Sequence, residues 1–163
     1  MGCYNGLHDV MYYEWAMTEL RSDNARMYNN NSSSNTTKLI EQLDQSVINT
    51  EHEWVESYWK ACYALITRTN NVLASVQVVK NEANKKMYEG ETRFLRALEY
   101  FNLVRLWGPV FIVTSKTPSD VARNMQRSSV SDVYALIEGD LETIVDQQLL
   151  PAKQPDALLG RPI

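Results

Sequence analysis

The stretch EGETRFLRALEYFNLVRLWGP, Glu89–Pro109, decides the fold. Phe94, Leu95, Leu98, Phe101, Leu103, Val104 and Leu106 recur at helical spacing. They cover a wider arc than a one-sided surface helix needs, so a helix over 83–107 is expected at the centre of a helical protein. Gly108 and Pro109 end it: glycine takes a left-handed C-cap conformation without a Cβ clash, and proline cannot continue a helix. Glu89 and Arg93 stand four apart and pair on the helix surface. Glu91 shares its face with Met87, Phe94, Leu95 and Leu98, so it is expected to be partly buried against a cation from Arg68, Arg96 or Arg127. The cluster reads as a polar clamp between helices rather than as a general acid or base. Gly90 costs about 1 kcal/mol against alanine inside a helix, so a neighbouring helix is expected to approach closely there.

Working outward, Val55, Tyr58, Trp59, Cys62, Leu65, Ile66, Val72, Leu73, Val76 and Val79 form one stripe, predicting a helix over 51–80. Thr50 and Glu53 have the spacing of a capping box at its start. Leu7, Val10, Met11, Trp15, Met17 and Leu20 predict a helix over 4–20. Between these lies a polar stretch, Arg21 to about Thr50, which reads as a long exposed loop. Beyond Pro109, Val110–Thr114 reads as extended and 115–127 as loop. Ser129 and Asp132 make a capping box for a fourth amphipathic helix ending near Gln147. The tail, 149–163, reads as loop. Four main helices with unequal connections make the chain all-α.

The 163 residues suit one domain, and a net charge of −4 excludes a general attraction to nucleic acid or anionic lipid. No 18-residue apolar run is present. No phosphate-binding loop, dinucleotide fingerprint or nucleophile elbow appears, so neither enzyme chemistry nor a cofactor is expected. His52 opens HEWVE, which lacks the second histidine of a zinc-protease helix, and it reads as a solvated first-turn residue. No metal site is expected. Cys62 reads as a small buried hydrophobe, and Cys3 is not preceded by a hydrophobic leader. Most of the Trp, Tyr and Phe residues fall at helical spacing and are assigned to packing, although an exposed ring can stack on a sugar.

Four strings together resemble the SusD/RagB family of outer-membrane nutrient-binding lipoproteins. The first is W-x3-YW-x3-Y-x2-I-x3-N, from Trp54 through Trp59 to Asn70. The second carries Gly90, Glu91, Arg93, Phe94 and Arg96, then Tyr100, Trp107 and Gly108. The third runs from Arg127 through Val133-Tyr134 to Asp140-Leu141, and the fourth is Leu150-Pro151 with Gly160-Arg161. The resemblance implies an all-α fold of tetratricopeptide-like helix pairs, with long loops and little or no strand, in which 51–80 and 83–107 form one pair. It implies no catalysis. It implies a cell-surface protein of the outer membrane that captures oligosaccharide, or peptide in some branches, for a SusC-like TonB-dependent transporter. A helical-repeat protein-interaction scaffold is the reading that drops cargo altogether. Family members are several times longer, so 1–163 is expected to be a single α-helical region from the N-terminal part of a longer chain. Membrane attachment would then come only from a lipid anchor that this chain lacks.

No ligand motif of the family carries over residue by residue. The residues themselves offer two readings of the polar loop: a plain solvated loop, or a ligand-site loop in which Asp23, Arg26, Tyr28, Asn29 and Asn30 supply donors, acceptors and one stacking ring, the inventory of a sugar site. Self-association is expected from the breadth of the apolar surface on helix 83–107.

Overall fold

The computed structural model describes residues 2–28 and 34–153. The helices are α1 (Gly2–Thr18), α2 (Asn35–Asp44), α3 (Glu53–Ser75), α4 (Glu82–Trp107), α5 (Ser119–Arg123) and α6 (Val130–Asp146), with a 3₁₀ turn at Val76–Val78. Among the described residues there is no strand, only one isolated antiparallel bridge, Val110 to Ser128. The chain divides into two compact units, Met1–Ala61 and Cys62–Ile163, the boundary falling within α3.

In the first unit α1 buries Cys3, Gly6, Val10 and Met17, one stripe at helical spacing. Met11 and Trp15, expected on that stripe, are instead 61% and 43% exposed. The long loop expected over Arg21–Thr50 contains α2. Ser34 caps it, accepting the Thr37 N–H at 3.1 Å, and Ile40 and Leu43 turn inward. Its apolar residues, Leu39, Ile40 and Leu43, fall at helical spacing but are few, and the polar Asn, Ser and Thr run before them masked the helix.

The Thr50–Glu53 capping box does not cap α3. The helix starts at Glu53, and its first backbone bond runs from Glu56 N–H to the His52 carbonyl at 3.1 Å. His52 is buried rather than solvated, with ring Nε2 3.0 Å from the Leu39 carbonyl. A carbonyl only accepts, so Nε2 carries the proton in this contact. At its far end α3 stops at Ser75, five residues short of expectation. The Ser75 hydroxyl bonds back to the Asn71 carbonyl at 2.8 Å, and the chain tightens into the 3₁₀ turn.

In the second unit α4 packs chiefly along α6. Its buried residues run from Gly90 to Val104 on a wide arc, as a central helix requires, and include Glu91, Thr92, Arg96, Glu99 and Asn102. Gly108 closes α4 at φ 66° and ψ −120°, a conformation that a Cβ disfavours though not the left-handed helical one expected. The α6 capping box forms as expected: Ser129 Oγ accepts the Asp132 N–H, and Asp132 Oδ2 accepts the Ser129 N–H.

The close approach expected at Gly90 comes from extended chain rather than a helix. A Cβ there would lie 2.9 Å from Leu149 Cβ and 2.8 Å from Leu150 Cγ. Leu149 reaches this position because α6 ends in a Schellman turn: the Leu149 N–H bonds Ile144 O, the Gln148 N–H bonds Val145 O, and Gln148 has φ 50°. α2 ends the same way, through Val47 N–H to Gln42 O, Ser46 N–H to Leu43 O, and Ser46 at φ 56°.

Two outcomes follow for chemical denaturation. Gly90→Ala, which would favour an isolated helix, is expected to destabilise by about 1–3 kcal/mol through overpacking against Leu149. Gln148→Gly is expected to stabilise by about 0.5–1 kcal/mol, because relief of the left-handed strain exceeds the added chain entropy. An increase in stability for Gly90→Ala would refute the close approach.

Candidate functional site

The polar residues nominated from sequence lie where α1 runs out and α2 ends. After Thr18 the chain turns, with the Ser22 N–H bonded to Glu19 O at 3.1 Å and the Ser22 hydroxyl donating to the same carbonyl at 2.6 Å. The Asn24 N–H then bonds Ser22 Oγ at 3.3 Å. These short-range bonds hold a polar segment that buries little apolar surface. Asp44, the last residue of α2, accepts the Met27 N–H through Oδ2 at 3.3 Å and fixes the loop to the helix.

The result is a pocket of about 350 Å³ lined by Ser22, Asp23, Arg26, Asp44 and Gln45. Two carboxylates, a guanidinium, an amide and a hydroxyl converge on it. Asp23 and Arg26 are thus brought together. Tyr28 is not in the lining and stands 84% exposed nearby in the chain. Asn29 and Asn30 lie outside the described residues. Asp44 and Gln45 were missed from sequence because α2 was. The signal that could have found them is Ser34 as a cap with Ile40 and Leu43 three apart. A donor and acceptor set of this kind holds hydroxyl groups. No group of His, Cys, Asp and Glu among the described residues could hold a metal ion.

The motif residues of the second unit build scaffold. Arg96 places Nε on Asp140 Oδ2 and Nη2 on Asp140 Oδ1, both at 2.7 Å, and Nη1 on Asn70 Oδ1 at 3.0 Å. Arg93 reaches the same Asp140 at 2.9 Å and grips Glu89 through Nε and Nη2, confirming the expected Glu89–Arg93 pair. The clamp between helices is therefore centred on Arg96 and Asp140. Glu91, its expected centre, is buried close by in sequence, at 4% exposure. Phe94, Trp59 and Trp107 are half-buried, and Arg127 holds its guanidinium 6.0 Å from the Phe111 ring centroid.

The extended segment after Gly108 has no neighbouring strand among the described residues, and two tyrosines take that role. The Tyr63 hydroxyl donates to Phe111 O and accepts from Phe111 N–H, both at 2.9 Å. The Tyr100 hydroxyl donates to Val113 O at 3.0 Å and accepts from Val113 N–H at 2.7 Å, while Asn70 Nδ2 donates to the same carbonyl at 2.7 Å. Alternate residues of the segment are thereby satisfied as a β-ladder would satisfy them. Burial pushes both phenols up, that of Tyr100 to about 12, against the opposing effect of its bond to Val113.

Against this geometry the comparisons with known proteins are direct. Residues 3–162 match the SusD-like family described as starch-binding and associating with the outer membrane. A SusD-like protein of Bacteroides ovatus is 32% identical over 94 residues, 54% of this chain and 17% of its own length. The SusD-like protein P38 of Formosa agariphila is 37% identical over 86 residues, 52% of this chain and 16% of its own. Among solved structures, a laminarin-binding SusD-like protein superposes with a TM-score of 0.80 at 27% identity over 98% of this chain and 36% of its own. Surface glycan-binding protein A of Bacteroides uniformis gives 0.74 at 22% over 98% and 38%. The helical architecture and the match to SusD-like structures make this a tetratricopeptide-like helical protein of the SusD type. The chain belongs to the SusD-like family. It spans less than a fifth of the length of these two curated relatives.

The tyrosine brackets yield a pH prediction. A phenol whose pKa is raised on folding contributes fully below its unfolded value, about 10, and loses that contribution as pH rises through the folded value. The second unit is therefore expected to hold its stability to about pH 9 and lose it towards pH 12. Tyr100→Phe orphans the Val113 N–H, should cost about 1–3 kcal/mol at pH 7, and should flatten the alkaline loss in denaturation followed by circular dichroism.

Proposed function

We propose that this chain is a glycan-binding part of a cell-surface protein that passes oligosaccharide to a SusC-like TonB-dependent transporter, without catalysing a reaction on it. The pocket of Ser22, Asp23, Arg26, Asp44 and Gln45 carries the reading. It offers hydrogen-bonding groups of both kinds at a loop end, where hydroxyl groups can be met by paired donors and acceptors. Family membership supports the choice of glycan over peptide, since the structural relatives include proteins named for laminarin and surface glycan binding and one solved with a xylogluco-oligosaccharide. In this reading the protein is held at the outer membrane by a lipid anchor, which the family's association with that membrane supports, and no helix among the described residues is long and apolar enough to cross a membrane.

Affinity electrophoresis through gels cast with laminarin, xyloglucan or starch tests the proposal. The chain should be retarded by at least one of them. Asp23→Ala and Arg26→Ala should each weaken that retardation roughly tenfold, with Tyr28→Ala as a third variant in the same loop. Peptide binding without retardation by any glycan would replace this reading with a peptide-importing one.

A further inference from the structure

Within the second unit, the loop after the tyrosine-pinned segment borders a pocket of about 340 Å³. Val113 and Met125 supply its apolar part, and Thr67 and Asn71 of α3 face Lys116 and Thr117 of the loop across it. Its volume is at the small end of the range for small-molecule sites. The wall is held in place. Val113 is fixed by Tyr100 and Asn70, so the loop starts from an anchored point. Thr117 Oγ1 donates to Ser115 O at 3.2 Å and folds the loop on itself. Asn70 is spent on Arg96 and Val113, whereas Asn71, the next residue along α3, is exposed.

The polar groups of this pocket divide by what they can still bond. Thr67 Oγ1 donates to Tyr63 O at 2.9 Å, as Thr117 Oγ1 does to Ser115 O. Both hydroxyl protons are committed, and what remains on these oxygens is acceptor capacity. Lys116 and Asn71 are the opposite case: an ammonium and an amide with N–H groups to donate, neither side chain having a partner among the described residues. Among those residues Lys116 is also the one charged group of the lining, and no carboxylate stands with it. The α1–α2 pocket differs in sign, with Asp23 and Asp44 against Arg26.

We infer that this pocket is a second ligand site, for a carboxylate-bearing sugar, a uronate residue of an acidic oligosaccharide. The inference rests on the glycan reading above for the sugar and on the pocket's own groups for the charge. The Lys116 ammonium and the Asn71 amide donate to the carboxylate, the first as a charge-assisted bond. The Thr67 and Thr117 oxygens accept from ring hydroxyls. The C–H groups of the ring lie against Val113 and Met125. A bare carboxylate leaves both acceptors unused, and a neutral sugar leaves the cation without a counter-charge.

The test is titration of the whole chain with trigalacturonate and trimannuronate, read by calorimetry. Wild type should bind at least one of them, and raising the salt from about 0.05 to 0.3 M should weaken that binding several-fold. The methyl ester of the same trisaccharide keeps the rings and removes the charge, and it should bind roughly tenfold more weakly. Lys116→Ala and Lys116→Glu should each weaken uronate binding about tenfold or more, Asn71→Ala several-fold, and Lys116→Arg should stay within a few-fold of wild type. Lys116 is exposed, so its variants keep the fold, which far-ultraviolet circular dichroism checks. Acetate at the concentration of the trisaccharide should not compete. Competition by acetate, equal binding of the ester, or binding unchanged in Lys116→Ala each overturns the site as proposed, and tighter binding of triaspartate replaces the sugar with an acidic peptide. Retardation by a neutral glycan in the electrophoresis separates the two readings. Retardation without uronate binding removes this site alone. Uronate binding that depends on Lys116, without retardation, removes the α1–α2 reading alone.

Discussion

Arg96 and Asp140 meet as a buried bidentate pair, and α3, α4, α6 and the chain after Gly108 take their places from it. The remaining guanidinium donor of Arg96 reaches Asn70 on α3, whose amide in turn holds the Val113 carbonyl. Asp140 is shared with Arg93, and Glu89 neutralises the extra cation, so two positive and two negative groups close the set. A charge buried without partners is strongly destabilising, and removing one member of such a pair costs about 3–5 kcal/mol. The network therefore specifies one alignment of α6 against α4: sliding α6 by one turn would separate Asp140 from both arginines.

That constraint explains why α6 has a polar residue in the middle of its inward stripe. Val133, Ile137 and Ile144 are apolar and Asp140 is not. Read by hydrophobicity alone, the position looks like a flaw. Read with Arg96, it is the registering contact. The same logic holds for Tyr63 and Tyr100, whose rings pack as core while their hydroxyls stand in for a missing strand. An apolar replacement would fill the space and leave backbone groups unpaired.

Where sequence was legible, several independent signals agreed. The Ser129–Asp132 box and the Glu89–Arg93 pair rest on local chemistry and appear as expected, and α4 stops at Gly108-Pro109 as expected, though with Gly108 in a different positive-φ conformation. The misses share a cause. α2 has two buried apolar residues, and the Schellman turns after α2 and α6 use Ser46 and Gln148 at positive φ, where glycine would have announced them. The burial of His52 and the approach of Leu149 to Gly90 depend on distant chain, which periodicity does not report. In the candidate site Asp23 and Arg26 were legible as a polar loop, but Asp44 and Gln45 required α2.

Scaffold and site differ in how much they constrain residue identity. In the Arg96–Asp140 network each side chain answers to a partner in another element, and substitution leaves a buried group unmatched. Its residue types are thus specific enough to mark the family in one sequence. In the pocket, Ser22, Asp23 and Arg26 have no partner of this kind in another element, and their side chains face solvent to a greater degree. Their local backbone bonds would hold for many side chains, and only Asp44 is tied to the loop by a bond across the unit. This is why the residues around α1 and α2 carry less of the fold's signature than the motif residues of α4 and α6 do.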